Sequence, residues 1–212
     1  MTLDVQDLGS GLDFKEAWKR QEKLVAQRRA EEISDTLLLL EHAPVYTIGR
    51  TRDQSSLRDQ RLLPHPLVEI NRGGEATFHG PGQLVGYAIL DLTYYKKDLH
   101  RHLRNLEEAI IQTLAHLGVT AQRRDGLTGV WIENRKIASL GVGVRSWVTL
   151  HGLALNVQRK SLAPFQSITP CGIDDVSMTS IESELGQDVG MDEVKKTFAL
   201  EYQKILSAEF SD

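Results

Sequence analysis

The stretch Asn71-Arg72-Gly73-Gly74-Glu75-Ala76-Thr77-Phe78-His79-Gly80-Pro81-Gly82-Gln83-Leu84-Val85-Gly86-Tyr87 decides how this chain is read. It holds five glycines and a proline, yet lies between two short apolar runs rich in branched residues, at 66–70 and 84–90. Both runs read as strands, which makes the segment between them a tight, glycine-shaped connection on a rigid sheet. Glycine there permits backbone angles that other residues avoid and lets a ligand approach the main chain. Arg72, Thr77 and His79 add a charge, a hydroxyl and an imidazole. A polar hairpin needs one glycine-bearing pair for its turn. Two Gly pairs around a Thr-Phe-His core exceed that need and point to a substrate loop.

Outward from this stretch, the bulk numbers set bounds. A length of 212 residues suits one domain with a real core. Hydrophobic residues make up 41% and charged residues 25%, the ordinary mix of a globular protein. A net charge of −4 with no basic stripe gives no electrostatic reason to expect nucleic acid. No apolar run is long enough to span a bilayer, and the acidic start Met1-Thr2-Leu3-Asp4-Val5-Gln6-Asp7 lacks a signal core, so a cytoplasmic location is expected. The single Cys171 allows neither an internal disulfide nor a multi-thiolate zinc site, and no metal is expected.

Along the chain, residues 3–8 alternate like an edge strand. Asp13 with Glu16 forms a capping box for a first helix reaching to about Glu32. Residues 36–41 read as a buried strand, and Pro44 argues against continued pairing after it. Residues 51–64 are a loop or one short helix. Asp98 caps a second helix that Gly118 ends. Residues 119–122 read as a short strand. Residues 129–133 and 136–142 read as a hairpin turning at Asn134-Arg135. The run 147–157 is strand-like but interrupted by His151-Gly152. Residues 158–177 are irregular. Thr179 with Glu182 opens a short helix ending at Gly186, and Met191, Val194, Phe198, Tyr202 and Ile205 mark a terminal helix. The fold class is α+β, a single domain with a central mixed or antiparallel sheet and helices largely on one side.

Two residues stand out chemically. Cys171, in Ser167-Ile168-Thr169-Pro170-Cys171-Gly172-Ile173, sits in a loop, where a packing cysteine is less common, and Gly172 brings a main-chain N–H that suits a developing oxyanion. A thiol nucleophile needs a base or cation beside it, and Lys136, His79, His151 and Arg72 are the candidates. For Lys136 the favoured reading from residues alone is a solvated side chain at a hairpin turn; only a position facing the site lets it accept a proton. For His151, in an apolar run, a satisfied core histidine is favoured. Metalloprotease, paired-carboxylate and phosphate-loop patterns are missing.

Five segments taken together go further. Glu41-His42-Ala43-Pro44-Val45-Tyr46-Thr47-Ile48-Gly49-Arg50, then Arg72-Gly73-Gly74-Glu75-Ala76-Thr77-Phe78-His79-Gly80-Pro81-Gly82-Gln83, Lys136-Ile137-Ala138-Ser139-Leu140-Gly141, His151-Gly152-Leu153-Ala154-Leu155-Asn156 and Pro170-Cys171-Gly172 closely resemble, in order, the lipoyl(octanoyl) transferase family. The resemblance implies a fold shared with the catalytic domains of biotin and lipoate protein ligases, with residues 1–212 as one catalytic domain. It implies that Cys171 accepts the acyl chain as a thioester and that Lys136 is its partner. By the same resemblance Arg72, Gly73, Gly74, Glu75, Ala76, Thr77, Phe78, His79, Ser139, Leu140, Gly141, Gly152, Leu153 and Ala154 line the acyl-substrate pocket. The implied donor is octanoyl-acyl carrier protein. The implied acceptors are lipoyl domains of 2-oxoacid dehydrogenase E2 subunits and the glycine cleavage H protein. A monomer without cofactor, nucleic acid or membrane completes the expectation.

Thioester exchange onto Cys171 is nearly neutral in energy, and amide formation then runs downhill, so no ATP is needed. A tunnel burying eight carbons gains about 0.8 kcal/mol per methylene, roughly 5–6 kcal/mol before ordering costs. Other readings are an ATP-dependent ligase on the same fold, a cysteine hydrolase pairing Cys171 with His151, and a non-catalytic binding module.

Overall fold

The computed structural model describes residues 3–49, 54–70, 75–169 and 176–209. Cys171 and its neighbours Pro170 and Gly172 lie outside these residues, as do Arg72, Gly73 and Gly74.

In chain order the elements are β1 (Asp4–Asp7), α1 (Phe14–Arg29), β2 (Thr36–Leu40), β3 (Val45–Ile48), β4 (Leu67–Glu69), β5 (Thr77–His79), β6 (Gln83–Ile89), α2 (Leu99–His116), β7 (Gln122–Arg124), β8 (Leu127–Ile132), β9 (Arg135–Arg145), β10 (Val148–Asn156), β11 (Ser177–Met178), α3 (Ile181–Leu185) and α4 (Met191–Glu209). The main sheet runs β1-β2-β6-β10-β9-β8-β7, with β11 pairing β9; β3 sits between β4 and β5 in a small second sheet. Parallel pairs at β1–β2 and β11–β9 make the main sheet mixed, as the α+β reading requires.

Alternation along the strands sorts the core. Leu37, Leu39, Leu84, Ala88, Leu153 and Leu155 face α2 and α4, whereas Leu38, Leu40, Val85, Tyr87 and Ala154 face α1. Helices therefore cover both faces. This corrects the expectation that they lie largely on one side: α1 is the helix on the second face, and its amphipathic pattern does not encode which face that is.

Several local expectations shift. The glycine stretch is not one hairpin connection. Residues 77–79 form β5, which pairs with β3, so the chain crosses from the small sheet to the main sheet through Gly80-Pro81-Gly82. Pro44 does end the β2 pairing, but the chain resumes as β3 in the other sheet. The described part of 51–64 contains two single 3₁₀ turns. The first helix ends at Arg29, and the strand expected at 119–122 forms at 122–124. The hairpin turns at Glu133-Asn134, with Glu133 at a φ of 52° and Ile132 opposite Arg135. Ser180, rather than Thr179, caps α3, accepting from the Ser183 N–H at 3.2 Å. Within the run 147–157, Val148–Asn156 form one strand against β9, but its ladder to β6 begins only at Gly152. No helix among the described residues is long and apolar enough to cross a membrane.

Gly152 sits directly against the backbone of β6. A Cβ there would collide with the Gly86 carbonyl oxygen, which is backbone and cannot rotate away. Gly152→Ala is expected to cost about 3 kcal/mol or more in urea unfolding. A loss under about 1 kcal/mol would mean that the two strands part easily.

Candidate active site

The site lies between the two sheets. Its floor comes from β9 and β10, whose register places Gly141 opposite Gly152, Leu140 opposite Leu153 and Ser139 opposite Ala154. Two sequence motifs read separately along the chain are thus direct cross-strand partners. They line a cavity of about 240 Å³ closed by Thr77 and His79 of β5, Phe14 of α1, Ile70, and Gly126 with Leu127 and Thr128 at the start of β8.

Lys136 reaches this cavity and is 2% exposed. The solvated reading of this residue is therefore overturned. With the turn one residue earlier than expected, Lys136 falls opposite Trp131 inside the ladder rather than at the turn. Such a one-residue slip moves a side chain to the other face. The amine donates to the Thr128 carbonyl at 3.0 Å and lies 5.2 Å from the Trp131 ring centre.

On the opposite wall, His79 is held in one orientation. The Gln83 amide nitrogen donates to the Phe78 carbonyl (3.1 Å) and the Asn156 side-chain oxygen (2.9 Å), so its oxygen accepts from His79 Nδ1–H at 2.8 Å. The Asn156 nitrogen donates in turn to the Thr179 carbonyl. His79 Nε2 lies 3.5 Å from the Thr47 hydroxyl, and the imidazole stacks on Phe14 at 6.0 Å. Phe14 is the first residue of α1, fixed by the Asp13 cap. Thr77 Oγ1 is buried and finds no hydrogen-bond partner among the described residues. Behind His79, His42 donates from Nδ1 to the Leu12 carbonyl (3.0 Å) and accepts from the Tyr87 hydroxyl (2.7 Å). Burial pushes this imidazole down to about 4, so it is neutral near pH 7.

An apolar cavity with a buried amine in its wall suits acyl chemistry. Comparison agrees. The profile of the lipoyl protein ligase A/B catalytic domain matches residues 13–203. An octanoyltransferase of Geobacter metallireducens is 50% identical over 92% of this chain and 89% of its own. The chain belongs to the octanoyltransferase branch of that family. Solved structures share the fold. A lipoate–protein ligase A bound with ATP aligns with a TM-score of 0.73 at 16% identity, over 97% of this chain and 85% of that one. A bipartite lipoate protein ligase of Thermoplasma acidophilum, described with its E2 lipoyl domain, aligns at 0.71 and 17%, over 98% and 84%.

Of the pocket residues the family resemblance nominates, Glu75, Thr77, His79, Ser139, Leu140, Gly141, Gly152, Leu153 and Ala154 line the cavity, together with Lys136, which it nominates as the partner of Cys171. Ala76 and Phe78 do not. The period-two alternation of a strand turns them the other way, into the core of the small sheet with Tyr46 and Phe165. His151 is buried, as a core histidine would be, and also lines the cavity; its backbone N–H donates to Gln21 of α1 at 2.7 Å. Phe14, Ile70, Tyr87 and residues 126–128 join the site without a motif that marks them. For Tyr87 the signal was at hand, because a tyrosine within a buried strand needs a partner for its hydroxyl.

Histidines held neutral by burial set a pH window. Below 6.5 the unfolded chain takes up a proton at His42 that the folded chain refuses until about 4, and His102 on α2 behaves alike. Their contribution is whole above 6.5 and is lost as pH falls towards 4. Each histidine makes stability fall by about 1.4 kcal/mol per pH unit across that window. In urea titrations, His42→Gln is expected to flatten the slope by about one proton; an unchanged slope would contradict a neutral His42.

Proposed function

We propose that this protein carries an octanoyl group from octanoyl-acyl carrier protein to a lysine of lipoyl domains, the first step of endogenous protein lipoylation. The observation that carries the reading is the Lys136 amine, buried in the wall of an apolar cavity whose floor is two register-matched motif strands. The relative at half identity is named an octanoyltransferase, and a structural neighbour is described with an E2 lipoyl domain. E2 lipoyl domains and the glycine cleavage H protein are the acceptors in this reading. Residues 1–212 act as one catalytic unit, a cytoplasmic monomer that needs no cofactor.

Cys171 is the nucleophile and Lys136 its proton partner. The chain flanking Cys171 supports this pairing. On one side the Thr169 N–H donates to the Ser56 carbonyl at 2.8 Å. On the other, Met178 pairs in register with Lys136, and the Thr179 N–H donates to the Lys136 carbonyl at 3.0 Å. The Cys171 thiolate attacks the carbonyl carbon of the incoming thioester, a C–S bond forms, and the carrier leaves as a thiol with a proton from Lys136. The neutral amine of the acceptor lysine then attacks the same carbon. An amide forms, the Cys171 C–S bond breaks, and Lys136 takes up the proton released by the amine. Arg72, Gly73 and Gly74 complete the set of acyl-substrate residues in this reading. Ala154 and Leu153 bound the acyl chain.

The purified protein, octanoyl-acyl carrier protein and a lipoyl domain, mixed without ATP, are expected to give octanoylated acceptor. Lys136→Ala is expected to lower the rate by about 100-fold or more. If modification requires ATP and free octanoate, the protein is a ligase and the proposal fails.

A further inference from the structure

The peptide unit joining Thr128 to Gly129 is bonded at both ends. Its carbonyl accepts from the Lys136 amine at 3.0 Å, and its N–H donates to Oε1 of Glu107 at 2.9 Å. A trans peptide is rigid and planar, with its C=O and N–H pointing opposite ways. Whatever fixes the N–H therefore aims the carbonyl.

Glu107 is fit to do the fixing. It is fully buried on α2, and its other oxygen accepts from Arg104 at 2.6 Å and Arg123 at 3.1 Å. The two guanidinium groups compensate a charge that burial would otherwise make costly. The Lys136 side of the bridge is shaped for it as well. Gly129 has a φ of 137°, and a Cβ there would lie 2.5 Å from Lys136 Cε and 2.8 Å from the Ala138 carbonyl oxygen. The lysine stem thus crosses the bare α-carbon of Gly129. A register shift between Val130 and Trp131 moves the partner from Ala138 to Lys136 and so inserts one residue in β9. Such a bulge re-aims the neighbouring side chain.

We propose that Glu107 is a positioning residue for the Lys136 amine, acting through the Thr128–Gly129 peptide unit. The inference rests on the role assigned to Lys136 above. A carboxylate on the N–H makes the carbonyl at the other end a stronger acceptor, because hydrogen bonds in a chain polarise one another. The amine is held at one point of the cavity wall by a group on a helix that never touches substrate.

If Glu107 merely staples α2 to β8, its loss lowers stability alone. The proposal requires more. Glu107→Leu, assayed as the folded protein with octanoyl-acyl carrier protein and lipoyl domain, is expected to lower kcat about tenfold and leave KM unchanged. Glu107→Gln keeps an acceptor for the Gly129 N–H and is expected to stay within about threefold of the parent. A measurement independent of turnover, and of whether Glu107→Leu folds, is the Gly129 amide proton in an NMR spectrum. With the carbonyl's donor removed in Lys136→Met, it is expected to move upfield by about 0.3 ppm or more. A Gly129 amide that does not move, or a Glu107→Leu protein with parental kcat, overturns the proposal. So does equal loss in the Gln and Leu variants. If Lys136→Ala itself keeps the parental rate, the fault lies with the role of Lys136 and the function proposed above, and the Gly129 shift still reports whether the bridge exists.

Discussion

Carrying a lysine amine into an apolar cavity is the constraint on which the rest of this structure depends. A buried amine without acceptors is costly by several kcal/mol. Here the cost is met locally, by the Thr128 carbonyl and the face of Trp131. Both come from β8, the strand that pairs with the one bearing the lysine. The stem needs room as well, and Gly129 supplies it by having no side chain. An amine so held stands in the cavity wall, shielded from bulk water.

The two-sheet arrangement follows from the same need. A single sheet offers a face, whereas an eight-carbon chain needs walls. The main sheet gives the floor at β9 and β10. The small sheet gives Thr77 and His79, with Phe14 of α1 closing the gap. The glycine-proline-glycine turn between β5 and β6 lets one continuous stretch serve both sheets, and Gln83 at the start of β6 reaches back to orient His79. Beyond the site, a buried ion pair between Arg28 and Asp35 (2.7 Å) ties the end of α1 to the start of β2. Tyr95 also donates to Asp35 at 2.6 Å.

Much of this was legible in the sequence, and the gaps have physical causes. The α+β class and the Asp13 and Asp98 caps depend on local chemistry that a sequence displays directly, while the pocket residues came only through the family resemblance. The burial of Lys136 did not show, because it hinges on a turn placed one residue away from the alternative, and both registers satisfy the same hairpin pattern. The assignment of β5 to a second sheet was hidden for a related reason: strand partners are long-range, and nothing in Thr77-Phe78-His79 names Tyr46 as a neighbour. Ala76 and Phe78 stand within a motif but face away from the cavity, since a motif runs along the chain while a strand alternates across it. The Glu107–Gly129 contact joins a helix to a strand with no spacing rule between them.

The most direct test of the acyl-enzyme is mass spectrometry of the intact protein mixed with octanoyl-acyl carrier protein and no acceptor. One octanoyl group is expected, removable by hydroxylamine and located on the peptide carrying Cys171. An unmodified protein that nonetheless octanoylates a lipoyl domain, or an acyl group on any other residue, would contradict the account.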